Sequence, residues 1–194
     1  MGVAILIAGL FIFLGGHAFV TMRGRRAALI ASIGEGPYKG LFSLISAIGL
    51  ALIVYGFARY RAEEWINVWV PPLWTRHLAA VLVYPAIICI AAAYIPGHIK
   101  RVLKHPMLAG VKLWALAHLI ANGDLGSIIL FGSVLAWAVF DRISLKRRSD
   151  AGGPSIRIQG WPADLVAVVI GTVAYLALGL LFHPIVIGVP AFGS

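Results

Sequence analysis

His105-Pro-Met-Leu-Ala-Gly-Val-Lys-Leu-Trp-Ala-Leu-Ala-His-Leu-Ile-Ala-Asn-Gly-Asp124 sets the class of the whole chain. Two histidines, a lysine, an asparagine and an aspartate lie in or against a segment otherwise apolar enough to live in lipid. Polar groups are costly in a bilayer, so by default they mark function. His118 lies deepest. Val111, Trp114, Ala115 and Ala121 fall on or beside its face at helical spacing. A large apolar ring beside small residues leaves room for something flat and apolar, which makes His118, Trp114 and Ala115 candidate cofactor residues.

The composition around this stretch agrees. Of 194 residues 61% are hydrophobic, only 12% are charged, and the mean hydropathy is +0.94. A soluble domain of this size does not carry that much apolar surface, so the chain reads as an integral membrane protein in a lipid bilayer. The net charge of +9 would suggest nucleic acid in a soluble protein. Here the basic residues cluster in a few loops, as cytoplasmic retention requires, and no nucleic-acid partner is expected. The single cysteine, Cys89, sits in an apolar run. It offers no internal disulfide and no Cys-x-x-Cys-His haem attachment. The N-terminal apolar run lacks a basic leader and ends in Arg23, Arg25 and Arg26, the reverse of a cleaved signal, so it is expected to persist as a membrane helix.

Reading outward, hydropathy predicts an all-α, polytopic membrane protein. Six transmembrane helices, at about 3–20, 41–57, 77–95, 106–121, 125–140 and 164–182, form one membrane domain over 1–194. Between the first two lies a polar stretch, Arg23 to Lys39, punctuated by Gly34, Gly36 and Pro37. Trp65, Trp69 and Trp74 crowd a loop suited to a membrane–water interface. Asn122-Gly123-Asp124 is a tight turn, and 141–159 is a hydrophilic link. With alternating helices, one set of loops holds Arg23, Arg25, Arg26, Lys39, Lys100, Arg101, Lys104, Arg142, Lys146, Arg147, Arg148 and Arg157. The other set holds Arg59, Arg61 and Arg76. That bias puts both termini on the side away from the cytoplasm.

His17, after Gly15-Gly16, reads either as an interfacial histidine bonded to a neighbouring helix or as an axial haem ligand. Neutral imidazole is a common metal ligand, and helical bundles build cofactor sites from facing side chains. His118 reads as a ligand, a catalytic base or a buried histidine bonded to a backbone carbonyl. Lys112 either snorkels to the interface or holds an acidic group such as a haem propionate. His105-Pro106 starts a helix. Asn122 and Asp124 satisfy backbone groups in the turn. His77, His98 and His183 look like interface residues. Simple alternation puts His17 and His118 at opposite faces, against pairing them. The short helices at 106–121 and 125–140, however, let their turn lie below the outer surface, a depth compatible with a tilted haem between the two. His118 with His77 is the rival pair by depth and stays open. No Gly-x-Ser-x-Gly, His-Glu-x-x-His or phosphate-binding loop is present, and no intramembrane carboxylate pair is evident.

Three runs of residues then point to a family. His105-Pro106-Met107-Leu108 through Lys112 to His118-Leu119 and Asn122-Gly123-Asp124, with Pro37-Tyr38-Lys39-Gly40-Leu41-Phe42-Ser43-Leu44, and Trp137 to Asp141 with Arg142 and Lys146-Arg147-Arg148, closely resemble the NnrU family of bacterial membrane proteins. That family is named for its association with nitrite and nitric oxide respiration. The chain is similar, more distantly, to zeta-carotene isomerase, a membrane enzyme that uses haem b held by histidines. The resemblance implies His17, at the end of a first helix, as one ligand. It implies His118, thirteen residues after His105, as the other. Lys104 stands where the isomerase has arginine, and Ala115 where it has a cysteine, so a cysteine-based ligand exchange is not available here.

The expectation is therefore a protein binding non-covalent haem b through His17 and His118. Its role would be redox chemistry, sensing or isomerisation linked to nitric oxide and denitrification metabolism, acting on nitric oxide or an apolar small molecule. The alternative is a non-enzymatic membrane assembly factor for a respiratory enzyme, whose histidines are structural.

Overall fold

A computed structural model of the chain describes residues 1–147 and 158–192. The described residues are helical throughout, apart from loops and one isolated bridge between Asn67 and Asp124. Eight α-helices run in order: α1 Gly2–Thr21, α2 Arg23–Ile33, α3 Glu35–Glu63, α4 Trp74–Tyr94, α5 His98–Leu103, α6 Pro106–Ala121, α7 Leu125–Lys146 and α8 Trp161–Ala177. A π-helical segment, Leu178–Ile187, continues α8. Among the described residues five helices are long and apolar enough to cross a membrane: α1, α3, α4, α7, and α8 with its π extension. The 16 residues of α6 span about 24 Å at 1.5 Å per residue, short of a hydrocarbon core of about 30 Å.

The helix that hydropathy does not announce is α2. Arg23 to Ile33 is polar at its start, yet Ala27-Ala28-Leu29-Ile30-Ala31 contains only residues compatible with a helix, and the true breaker comes afterwards. Gly34, at φ 88°, separates α2 from α3. Gly36-Pro37 then falls in the first turn of α3, where a missing N–H leaves no bond unmade. For the same reason α3 begins earlier than the apolar run. At its other end Tyr55, Arg59 and Glu63 continue it one turn apart, with the Arg59 guanidinium 2.8 Å from Glu63. Beyond Phe182 the chain stays helical as far as Ile187. Pro184, which lacks an N–H, sits inside the wider π spiral. Of the hydrophilic link, 141–146 extends α7, and Arg148, Asp150 and Arg157 lie outside the described residues.

The chain divides into two compact units, 1–69 with 124–144, and 70–123 with 145–194. In the first, α1 lies along α3 at backbone contact. A Cβ placed on Gly9 would come within 2.6 Å of the Ile53 amide nitrogen, and one on Gly49 within 2.8 Å of the Phe13 nitrogen. Small residues let membrane helices approach this closely, and around them Leu6, Leu10 and Ile53 form a buried cluster with Phe13, Phe57 and Ile129. Glu64 ends α3 and accepts hydrogen bonds from the backbone N–H groups of Gly2 (2.5 Å) and Val3 (3.2 Å), capping α1. Tyr60, fully buried, donates to Ile66 O and accepts from Ile66 N. Asp124, 1% exposed, accepts from Ser127 N at 2.9 Å and so caps α7.

In the second unit α4 packs against α6 and α8. Gly110 meets Ala86 O and Gly171 meets Ile88 Cα, each nearer than a Cβ would allow. Tyr175 donates to Ala80 O at 3.1 Å, tying α8 to α4. Asp164 accepts from the N–H groups of His98 and Ile99 (both 2.9 Å) and from His98 Nδ1 at 2.8 Å. A carboxylate from α8 thus starts α5.

Candidate functional site

His17 is the sixteenth residue of α1, half-buried in the first unit. Its Nδ1 lies 2.8 Å from the carbonyl oxygen of Phe13, one turn earlier. A carbonyl only accepts, so Nδ1 carries the proton. In the neutral ring Nε2 is then left with its lone pair. Three aromatic rings surround the imidazole: Phe13 at 4.3 Å, Phe42 at 5.2 Å and Trp137 edge-on at 5.5 Å. Trp137 brings an indole N–H that is buried without a hydrogen-bond partner. A buried orphan donor is uncommon, and it marks a place where an acceptor belongs.

His118 repeats the arrangement in the second unit. It lies near the C-terminus of α6, its Nδ1 2.8 Å from Trp114 O, again one turn back. The Trp114 ring is 4.9 Å away. Ala115 and Ala117 on α6 are fully buried, so they set how closely neighbouring helices approach. Asn122 donates to His118 O twice, from its backbone N–H at 3.0 Å and from its side-chain amide at 2.8 Å. Lys112 is half-buried on the same helix and His105 holds the cap position. His77 is exposed in the first turn of α4.

A cavity of about 180 Å³ opens beside His118, lined also by Arg76, Ala80, Asn122, Tyr175 and His183. The His183 ring lies 6.1 Å from that of His118. His183 therefore belongs to the surroundings of His118, which a reading as a bare interface residue misses. Its signal in the sequence was the His183-Pro184 pair, whose placement depends on the π-helical continuation of α8. Trp137 was visible only as part of a run of residues, not as a neighbour of His17.

Among the described residues there is no cluster of three or more His, Cys, Asp or Glu that could hold a metal ion. The donor chemistry suits instead a group that takes its protein ligands as imidazoles alone. In both histidines Nδ1 donates to the carbonyl one turn back, the second-shell bond typical of ligating histidines. They stand in apolar, aromatic surroundings, and one has an unsatisfied donor at its side. These features fit haem b. His17 and His118 belong to different units, and each is described within its own.

No curated protein and no solved structure matches the chain. A family model does: NnrU, described as NnrU protein, over residues 5–191. That match runs from the first turns of α1 to beyond the π-helical segment, takes in all six histidines, and establishes that the chain belongs to the NnrU family.

Proposed function

We propose that this NnrU-family protein is an integral membrane protein that binds haem b non-covalently, with His17 and His118 as the residues that would hold its iron. The observation that carries the reading is the shared geometry of the two imidazoles: Nδ1 held 2.8 Å from the carbonyl one turn back, in both cases. This bond fixes the ring and tautomer before any ligand arrives, and raises the basicity of Nε2. When bound, haem b supplies a redox-active iron, whose potential follows ligand identity, burial and hydrogen bonding. Phe13, Phe42 and Trp114 keep water from the imidazoles, and Trp137 Nε1 offers a donor to an acceptor at the edge of the bound group. The resulting role is redox chemistry, sensing or isomerisation linked to nitric oxide metabolism.

In this reading α6 completes a sixth crossing, the chain forms one membrane domain, and both termini are periplasmic in a bacterial inner membrane. The basic residues of α2 and α5 support the orientation of the termini. The test is haem content in detergent-purified His17→Ala, His118→Ala, His77→Ala and His183→Ala variants. The first two are expected to lose the cofactor or its bis-histidine spectrum, and His77→Ala to keep both. Full haem in both His17→Ala and His118→Ala would overturn the assignment.

A further inference from the structure

A second feature of the first unit borders the surroundings of His17 through Phe42. An open apolar groove of about 420 Å³ runs beside α1, lined by Phe11, Gly15 and Phe19 of α1, Leu29 of α2, and Tyr38 and Ile45 of α3. Nothing lies within 4 Å of a Cβ built on Gly15, so the groove floor is open there. At Tyr38, which lines the groove, and at its neighbour Arg26, two buried donors lack a hydrogen-bond partner. One is the hydroxyl of Tyr38, a residue only 6% exposed, and the other is Nε of Arg26. They are neighbours, since the Arg26 guanidinium lies over the Tyr38 ring, 5.5 Å from its centroid. The nearby carboxylate of Glu35 is engaged by Lys39 at 2.7 Å. Buried donors are normally satisfied, and a cation beside them selects an anionic acceptor.

The level of these groups in the membrane follows from the chain. α1 and α3 are long enough to cross, and α2 joins their ends, so α2 lies at a membrane face. It carries Arg23, Arg25 and Arg26, as interfacial helices facing anionic lipid do. The groove descends from that level along the flank of α1.

We infer that this groove binds one anionic phospholipid, its acyl chain lying over Gly15 and its phosphate accepting hydrogen bonds from Arg26 and Tyr38. The occupant is lipid rather than a protein because the groove is apolar at acyl depth and cationic at headgroup depth. Arginine suits phosphate particularly, through its fork of donors.

Native mass spectrometry of the full-length protein in detergent, titrated with dioleoyl-phosphatidylglycerol or dioleoyl-phosphatidylcholine, tests this. One phosphatidylglycerol is expected to be retained in preference to phosphatidylcholine. Arg26→Gln is expected to weaken it about tenfold or more, the scale of one charge-assisted hydrogen bond, and Tyr38→Phe to weaken it less. Gly15→Leu blocks the chain path in a place with room for a side chain, so it should remove retention from a folded protein. Arg76→Gln, a cation elsewhere, should leave retention unchanged. Equal retention of the two lipids, unchanged retention in Arg26→Gln and Gly15→Leu, or a lipid-free dimer closing the groove would each overturn the inference.

Discussion

Replacing Gly9 by alanine tests how the first unit is held together. A methyl at Gly9 would sit 2.6 Å from Ile53 N and 2.9 Å from Gly49 O, where carbon contacts are favourable only near about 3.5–4.0 Å. Both are backbone atoms, so no side chain can swing away. α1 and α3 must separate by about 1 Å, and a gap of that order forfeits a quarter to a half of each dispersion contact across it. The contacts at stake are those of Leu6, Leu10 and Ile53, which are 0%, 4% and 8% exposed. Overpacking of this kind costs about 1–3 kcal/mol. Alanine also gains about 1 kcal/mol over glycine in a helix, and that gain is removed by a matched control. Gly15→Ala lies on the same helix, with nothing within 4 Å of its new methyl. The difference between the two variants should therefore be about 1–3 kcal/mol against Gly9→Ala. Reversible unfolding in mixed micelles, titrated with a denaturing detergent and followed by circular dichroism, measures it. Equal midpoints for Gly9→Ala and Gly15→Ala would refute the close-packing argument.

Other expectations follow from single contacts. Glu64→Ala removes the acceptor of Gly2 and Val3 N–H and should lower stability by about 0.5–2 kcal/mol in the same assay, with the loss concentrated in hydrogen-exchange protection of the first turn of α1. Asp124→Ala uncaps α7 at Ser127 and should lower stability by about 0.5–2 kcal/mol. Asp164→Ala leaves the amides of His98 and Ile99 without their acceptor. Trypsin should then cut after Lys100 or Arg101 several-fold faster, while sites in α2 are unaffected.

Much of the architecture can be read from the chain, and the limits have physical causes. Apolar runs reveal the long helices because lipid demands length and hydrophobicity of each one separately. α2 is hidden because a short helix outside the spans needs neither. The ends of α3 are hidden because first-turn proline and i,i+4 polar pairs extend a helix beyond its apolar part. That α1 lies along α3, and α4 along α6 and α8, cannot be read from hydropathy. The pairing rests on Gly9, Gly49, Gly110 and Gly171, and a glycine does not name the backbone it approaches. At the candidate site, the local state of His17 and His118 was within reach, because a histidine late in a helix finds the carbonyl one turn back. Trp137 and His183 were not, since both come to their neighbours through tertiary packing.

The central claim is that the two imidazoles hold haem b. The most direct measurement is an oxidised and reduced optical spectrum of detergent-purified protein, with a pyridine haemochrome assay on the same sample. The expected result is near-stoichiometric haem b with a sharp reduced α-band, lost in His17→Ala and in His118→Ala. A colourless protein from cells supplied with haem precursor would contradict the claim and return both histidines to a structural role.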